Sequence, residues 1–353
     1  MSRSTDFLNS LSGMTLEAIE RSAKKYDLSD EQVQEVLNSV LKSGHEQLLT
    51  ALKSDAPDML AKLKEDNAGF RGRCYERWRE PMDLLWMLWV ITQEVTEAHA
   101  HEGPREVDPL VFDTLAHLNP KALLITSEIL CLLEGGFADG ALARWRSLHE
   151  TVVTAMFIRK HGRTVARDYR LSVWFDNHKA ATSLNLVADR AGIPAFSDEE
   201  LSEIVAARDA AEAEIGRRLR FDWDWASTAF GGRERLQFVD IERDVGMELW
   251  RPRYKWSSQR VHSSFRSPMD LLGMSEADDF RFQIGPSNSG FVDPMHMTTI
   301  SLVQMATTFL MVGEINVDRL VYVQILKALS DEIGEAALRV EEETLQAHRS
   351  AQE

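Results

Sequence analysis

The chain has 353 residues, 44% of them hydrophobic and 27% charged, a balance that excludes wholesale disorder and leaves room for one large or two modest domains. Forty Lys and Arg stand against 56 Asp and Glu, and the resulting net charge of −16 repels nucleic acid on average. Nineteen glycines and ten prolines are few for this length, which points to long helices, and two cysteines, Cys74 and Cys131, exclude a disulfide framework or a four-cysteine zinc site.

The opening residues, Met1 to Asp6, are polar, and the stretch from Leu8 to Leu16 is interrupted by Asn and Ser. No leader peptide is expected, and the expected setting is a reducing, cytoplasmic one. Helical spacing then predicts helices over 15–26 and 29–42; the second starts at Ser29-Asp-Glu-Gln32, ahead of an apolar stripe at Val33, Val36, Leu37 and Val40. Residues 45–63 read as further helix with a break near Asp55-Ala-Pro57. Because residues 1–65 hold no tryptophan and little bulk, they are expected to form a polar helical arm or small subdomain. The main bundle then runs over 66–353, and the arm is the expected contact with a second copy or a partner protein.

Bulk begins at Trp78 and at the apolar run from Leu84 to Ile91, too short to span a bilayer and therefore a core helix. Helices are predicted over 109–118, 120–134, 139–160 and 163–191, separated by Asn119-Pro120, Gly135-Gly136 and His161-Gly162. An acidic helix over 198–220, an aromatic loop from Phe221 to Trp225, and helices over 233–244 and 250–263 follow. Residues 279–284 alternate polar and apolar side chains, the pattern of a short strand. From Pro294 to Gly313 no Asp, Glu, Lys or Arg occurs, yet seven polar side chains do, so this is expected to be a buried helix of the bundle, with Met305, Phe309 and Leu310 at its centre, and not a membrane span. A last helix is predicted over 317–348. The fold class expected is all-α: a large helical bundle with a polar N-terminal arm and at most a minor β-hairpin.

Most motifs that carry chemistry are absent. There is no phosphate-cradling loop, no dinucleotide fingerprint, no H-E-x-x-H, no Glu three residues before any of the ten histidines, and no G-x-S-x-G. His99 and His101, with Glu97, lie two apart on a helix and point in different directions. No metal and no cofactor are therefore expected. The charge is unevenly spread, however. Nine basic residues face four acidic ones between Gly140 and Arg190, and eleven face seven between Arg217 and Arg266. Such asymmetry permits a local site for an anion inside an acidic protein; the competing reading is that these arginines are solvated or paired.

Two constellations stand in the basic segments. In the first, Arg144, Arg146, His149 and Glu150 lie on one predicted helix. Arg146 and Glu150, four apart, share a face and can pair, whereas Arg144 and His149, five apart, diverge unless long side chains curl inward. In the second, Tyr254, Ser258 and His262 form a polar stripe at i, i+4 and i+8, offering a donor, an acceptor and a titratable group. The competing reading of the stripe is hydrogen bonding between helices that fixes their packing.

At these places the sequence resembles a family of uncharacterised bacterial helical proteins. The likeness is carried by Gly140, Arg146-Ser-Leu-x-Glu150 with the apolar helix after it, Tyr169 and Lys179, Tyr254-x-x-x-Ser258-x-x-x-His262, Gly285-Pro286 and the uncharged helix, spanning about 115–315. It implies a fold and no activity. Arg144 followed five residues later by His149 is also similar to the signature of the HEPN superfamily, helical proteins that include RNA-cleaving toxins, although Trp145 stands where a polar residue is usual. That likeness implies metal-independent ribonuclease chemistry in stress or phage defence, with His149 or His262 as general acid/base and Arg144 and Arg146 as phosphate clamps. The expected function is thus an Arg/His-lined site for an anionic ligand, phosphate-bearing or RNA, to which Glu150, Tyr254 and Ser258 contribute. The alternative is a non-catalytic scaffold or protein-interaction module.

Overall fold

The computed structural model describes residues 21, 24–25, 27–39, 45–261, 265, 267–277, 279–280 and 282–352. Among them the chain is all-α, with no strand. Its contacts divide it between Phe70 and Arg71 into two compact units. In the first lie α1 (Asp30–Ser39) and the start of α2 (His45–Glu102). Ser29 caps α1 through the amide of Gln32 while Gln32 answers to the amide of Ser29, the reciprocal pair that the sequence spells. The helix predicted over 15–26 falls mostly outside the described residues.

The division falls inside α2, which continues through Pro57 where a break was expected. A proline removes one intrahelical hydrogen bond and does not by itself end a helix. Pro81 does leave a mark: Trp78 adopts φ −99°, ψ 17°, a kink placed where the proline ring would press on the carbonyl of Arg77 one turn back. Pro120 likewise lies inside a single helix, α3 (Pro109–Glu134), and not between two. Asn119 beside it is buried and donates to Thr96 of α2, so tertiary packing holds the helix across the proline.

The core of the second unit is built by α3, α4 (Ala138–His161) and α9 (Val292–Leu310), which pack on one another. Around them lie α5 (Arg163–Asn185) on α3 and α4, α6 (Asp198–Ile215) on α5, α7 (Phe238–Asp244) and α8 (Arg251–Val261) on α4, and α10 (Val317–Gln352) on α9. Met305, Phe309 and Leu310 are buried in α9 as its uncharged sequence predicts. Trp145 of α4 donates its indole N–H to Ser301 and to the carbonyl of Met297, which satisfies polar groups of α9 inside the core. No described helix is long and apolar enough to cross a membrane.

Residues 279–284 supply no strand among the described positions; Phe280, Phe282 and Ile284 are exposed, and an isolated alternating run with no neighbour to pair with stays irregular. Helix α7 covers only the end of the predicted 233–244. Residues 233–237 are irregular, and the aromatic stretch before them forms a 3-10 turn, Asp224–Phe230, closed by Gly231 in the left-handed region.

Candidate functional site

Helix α4 carries the first constellation and α8 carries Tyr254 and Ser258 of the second, and the two helices pack against each other. Arg146, His149 and Glu150 stand at i, i+3 and i+4, so they share the face of α4 that looks at α7 and α8. Tyr254, three residues after Arg251, meets them. Its hydroxyl donates to Glu150 Oε1, and Arg146 Nε lies 3.0 Å from both that carboxylate oxygen and the tyrosine oxygen. The guanidiniums of Arg146 and Arg251 also lie over the Tyr254 ring, 5.0 and 4.9 Å from its centroid. Burial, and then the Glu150 carboxylate, push the Tyr254 hydroxyl well above the ordinary tyrosine range.

Deeper in, His149 Nε2 lies 3.0 Å from Glu242 Oε1, and the other oxygen of Glu242 accepts from Arg251 at 2.7 Å. His149 and Glu242 are fully buried, at 0% exposure. A carboxylate held by an arginine only accepts, so His149 Nε2 carries the hydrogen. His149 Nδ1 has no partner among the described residues, and the ring sits among Trp145, Phe238 and Tyr254.

Not all of the expected residues join this network. Arg144 pairs with Glu128 of α3, on the divergent side that its five-residue offset from His149 implies. Ser258 donates to the carbonyl of Tyr254 on its own helix, and so does the buried Ser257. His262 lies outside the described residues.

Two members of the network, Glu242 and Arg251, escaped sequence reading. Arg251 sits three before Tyr254 on one helix face, a spacing that could have found it. Glu242 lies in Ile241-Glu242-Arg243-Asp244, where nothing marks Glu242 as buried and Arg243 and Asp244 as not. Asp139 was also missed. At the start of α4 it accepts from the amides of Leu272 and Gly273 and pairs with the nearly buried Arg260, tying the loop after α8 to the bundle.

Residues 112–280 match the model of a family described as "Family of unknown function (DUF5677)". The match takes in α4 and α8 with their motifs, so the likeness to a helical family without an assigned activity holds over this stretch. It ends before Gly285-Pro286 and α9, which the motif order had included. No curated protein and no solved structure matches the chain. The HEPN likeness rests on the spacing of Arg144 and His149 alone.

Proposed function

We propose that the chain is a non-catalytic helical scaffold, an interaction module in which the Arg146–Glu150–Tyr254 and His149–Glu242–Arg251 groups hold α4, α7 and α8 together. One observation carries this reading: each charge of the network meets its counter-charge inside the network, and His149 is closed off from solvent with its free nitrogen among aromatic rings. General acid–base catalysis needs that nitrogen within hydrogen-bond reach of a substrate or of one bridging water. A ribonuclease here would also need a phosphate clamp beside the histidine, and Arg144 is engaged with Glu128.

The test is the full chain with labelled RNA and no added metal. Neither the parent nor His149→Ala should cleave. Cleavage by the parent that falls by ~10²-fold or more in a folded His149→Ala would overturn the scaffold reading in favour of a nuclease.

In this reading the scaffold joins a second copy of itself through the N-terminal unit. Leu49, Leu52, Met59 and Leu63 are exposed on α2, and with Ala56 they alternate in steps of three and four, the seam of a two-stranded coil. Sedimentation of the parent should show a dimer that Leu52→Glu with Met59→Glu converts to a monomer. A parent that is monomeric at every concentration, or a dimer that the double variant leaves intact, would remove this element.

A further inference from the structure

We infer that the cleft between α3 and α5 binds a small phosphate monoester, at a site separate from the α4–α8 network. The cleft has a volume of about 260 Å³ and is lined by Thr114, His117, Leu118, Lys121, Tyr169 and Arg170. The four α3 residues stand at i, i+3, i+4 and i+7 and so form one helix face, while Tyr169 and Arg170 come from α5.

The charge of this cleft is uncompensated. Neither Lys121 nor Arg170 makes an ion pair among the described residues, whereas Arg144, Arg146, Arg163 and Arg167 of the same basic segment each hold a carboxylate. No carboxylate lines the cleft. The nearest acidic residue along α5, Asp168, is fully buried and turned onto Arg167 and Thr228. Two positively charged side chains lining a concavity without a counter-ion attract an anion even where the whole molecule carries −16.

The remaining groups add hydrogen bonding. The Tyr169 hydroxyl has no hydrogen-bond partner among the described residues, although burial is enough to raise it above the ordinary tyrosine range. His117 engages the carbonyl of Asp113 at 2.6 Å through Nδ1, and since a carbonyl only accepts, Nδ1 carries the hydrogen, while Nε2 has no partner among the described residues. A guanidinium, an ammonium and a phenol converging on one space are the donors that a phosphate's terminal oxygens take. The size argues for a small ligand: about 260 Å³ lies just under the usual ~300–1,000 Å³ of small-molecule sites. The larger cleft beside α7, about 440 Å³, offers less. Its Lys160 is already paired with Asp244 and its Arg159 donates to the carbonyl of Met311.

The inference does not rest on the scaffold reading, because a scaffold and an enzyme could equally carry such a site. The experiment titrates the full chain calorimetrically with inorganic phosphate and with adenosine 5′-monophosphate, with acetate as the control anion. Saturable binding of either phosphate probe at one site per chain is expected. Lys121→Ala with Arg170→Ala should weaken it by ~10-fold or more, two charge-assisted hydrogen-bonding groups being lost. Both residues are exposed, so the circular dichroism and melting of the double variant should match the parent. Tyr169→Phe should weaken binding by a smaller factor.

Tighter binding of the nucleotide than of free phosphate would place the rest of the monoester in the cleft as well, and equal binding would confine recognition to the phosphate; either supports the site. Absence of saturable binding by the parent, equal affinity in the double variant, or binding of acetate as tight as phosphate would overturn it. Binding of a 5′-phosphorylated oligonucleotide but of neither small probe would overturn it too, in favour of a nucleic-acid surface.

Discussion

Glu150 and Glu242 are both glutamates with an arginine partner, yet their surroundings predict different costs of removal. Glu150 and Arg146 are 29% and 28% exposed, so water covers part of what a truncation uncovers. Glu150→Ala still leaves the Tyr254 hydroxyl without its acceptor, a loss of about 1–3 kcal/mol. Glu242 is wholly buried and serves both His149 and Arg251, and its removal strands an arginine and a histidine together. Glu242→Ala should cost about 3–5 kcal/mol, the larger of the two. Denaturant titration of both variants checks the order, and equal losses would show that the inner pair is not the anchor of the network. Tyr254 adds a dependence on pH. Its hydroxyl ionises later in the folded chain than in the unfolded one, so its stabilisation is complete below the unfolded tyrosine pKa of about 10 and is lost as pH rises from there toward the folded value. Tyr254→Phe should flatten the fall in stability above pH ~10. A fall identical to the parent's would place the sensitivity on another group.

Among the elements, the helices were legible where an apolar stripe and a cap coincide, and their interruptions were not. Pro57, Pro81 and Pro120 are the same residue to a sequence reader, but only Pro81 bends the backbone enough to be seen, at Trp78. What separates them is packing that sequence does not display, as with Asn119 and Thr96 beside Pro120. The network was half legible for a related reason. Pairs within one helix, such as Arg146 and Glu150, follow from spacing, whereas Glu242 enters from another helix through contacts that no spacing encodes. The segment leading into α9 gives a test at this scale. Gly290 has φ +78°, and a Cβ there would lie 2.3 Å from the carbonyl oxygen of Leu272, whereas Gly285 has open space around it and no positive φ. Gly290→Ala should therefore destabilise by about 2 kcal/mol or more, through strain and overlap with backbone. Gly285→Ala should change stability by no more than ~0.5 kcal/mol. Thermal melts of the two variants decide, and comparable shifts would mean that the segment re-forms around an added Cβ.

For the whole molecule, the ionisable groups bound the pH range of stability. Asp108, Asp240 and Asp244 are held below the usual carboxylate range by hydrogen bonds to amides, arginine, lysine or histidine, against the opposing effect of desolvation. Their stabilisation is present above the unfolded carboxylate pKa of about 4 and is lost as pH falls through the folded values. His99 acts earlier in an acid titration. It is 3% exposed near the end of α2, edge-on to Phe112 of α3 and Phe309 of α9, at 5.4 and 4.7 Å between centroids. Burial, and then the positive charge of Arg319 on α10, lower its pKa, while Glu102 opposes them. The ring thus resists protonation in the fold more than in the unfolded chain. Its contribution is complete above the unfolded histidine pKa of about 6.5 and is lost as pH falls from there through the lowered folded value. Because α2, α3 and α9 meet at this ring, a charge placed there acts on the bundle as a unit and not on a loop. Denaturation midpoints measured across pH 7 to 5 should fall in the parent and fall less in His99→Leu, which keeps an apolar side chain of similar size among the two phenylalanines. A His99→Leu variant whose midpoint drops over that interval as steeply as the parent's would assign the acid sensitivity to the other histidines or to the carboxylates.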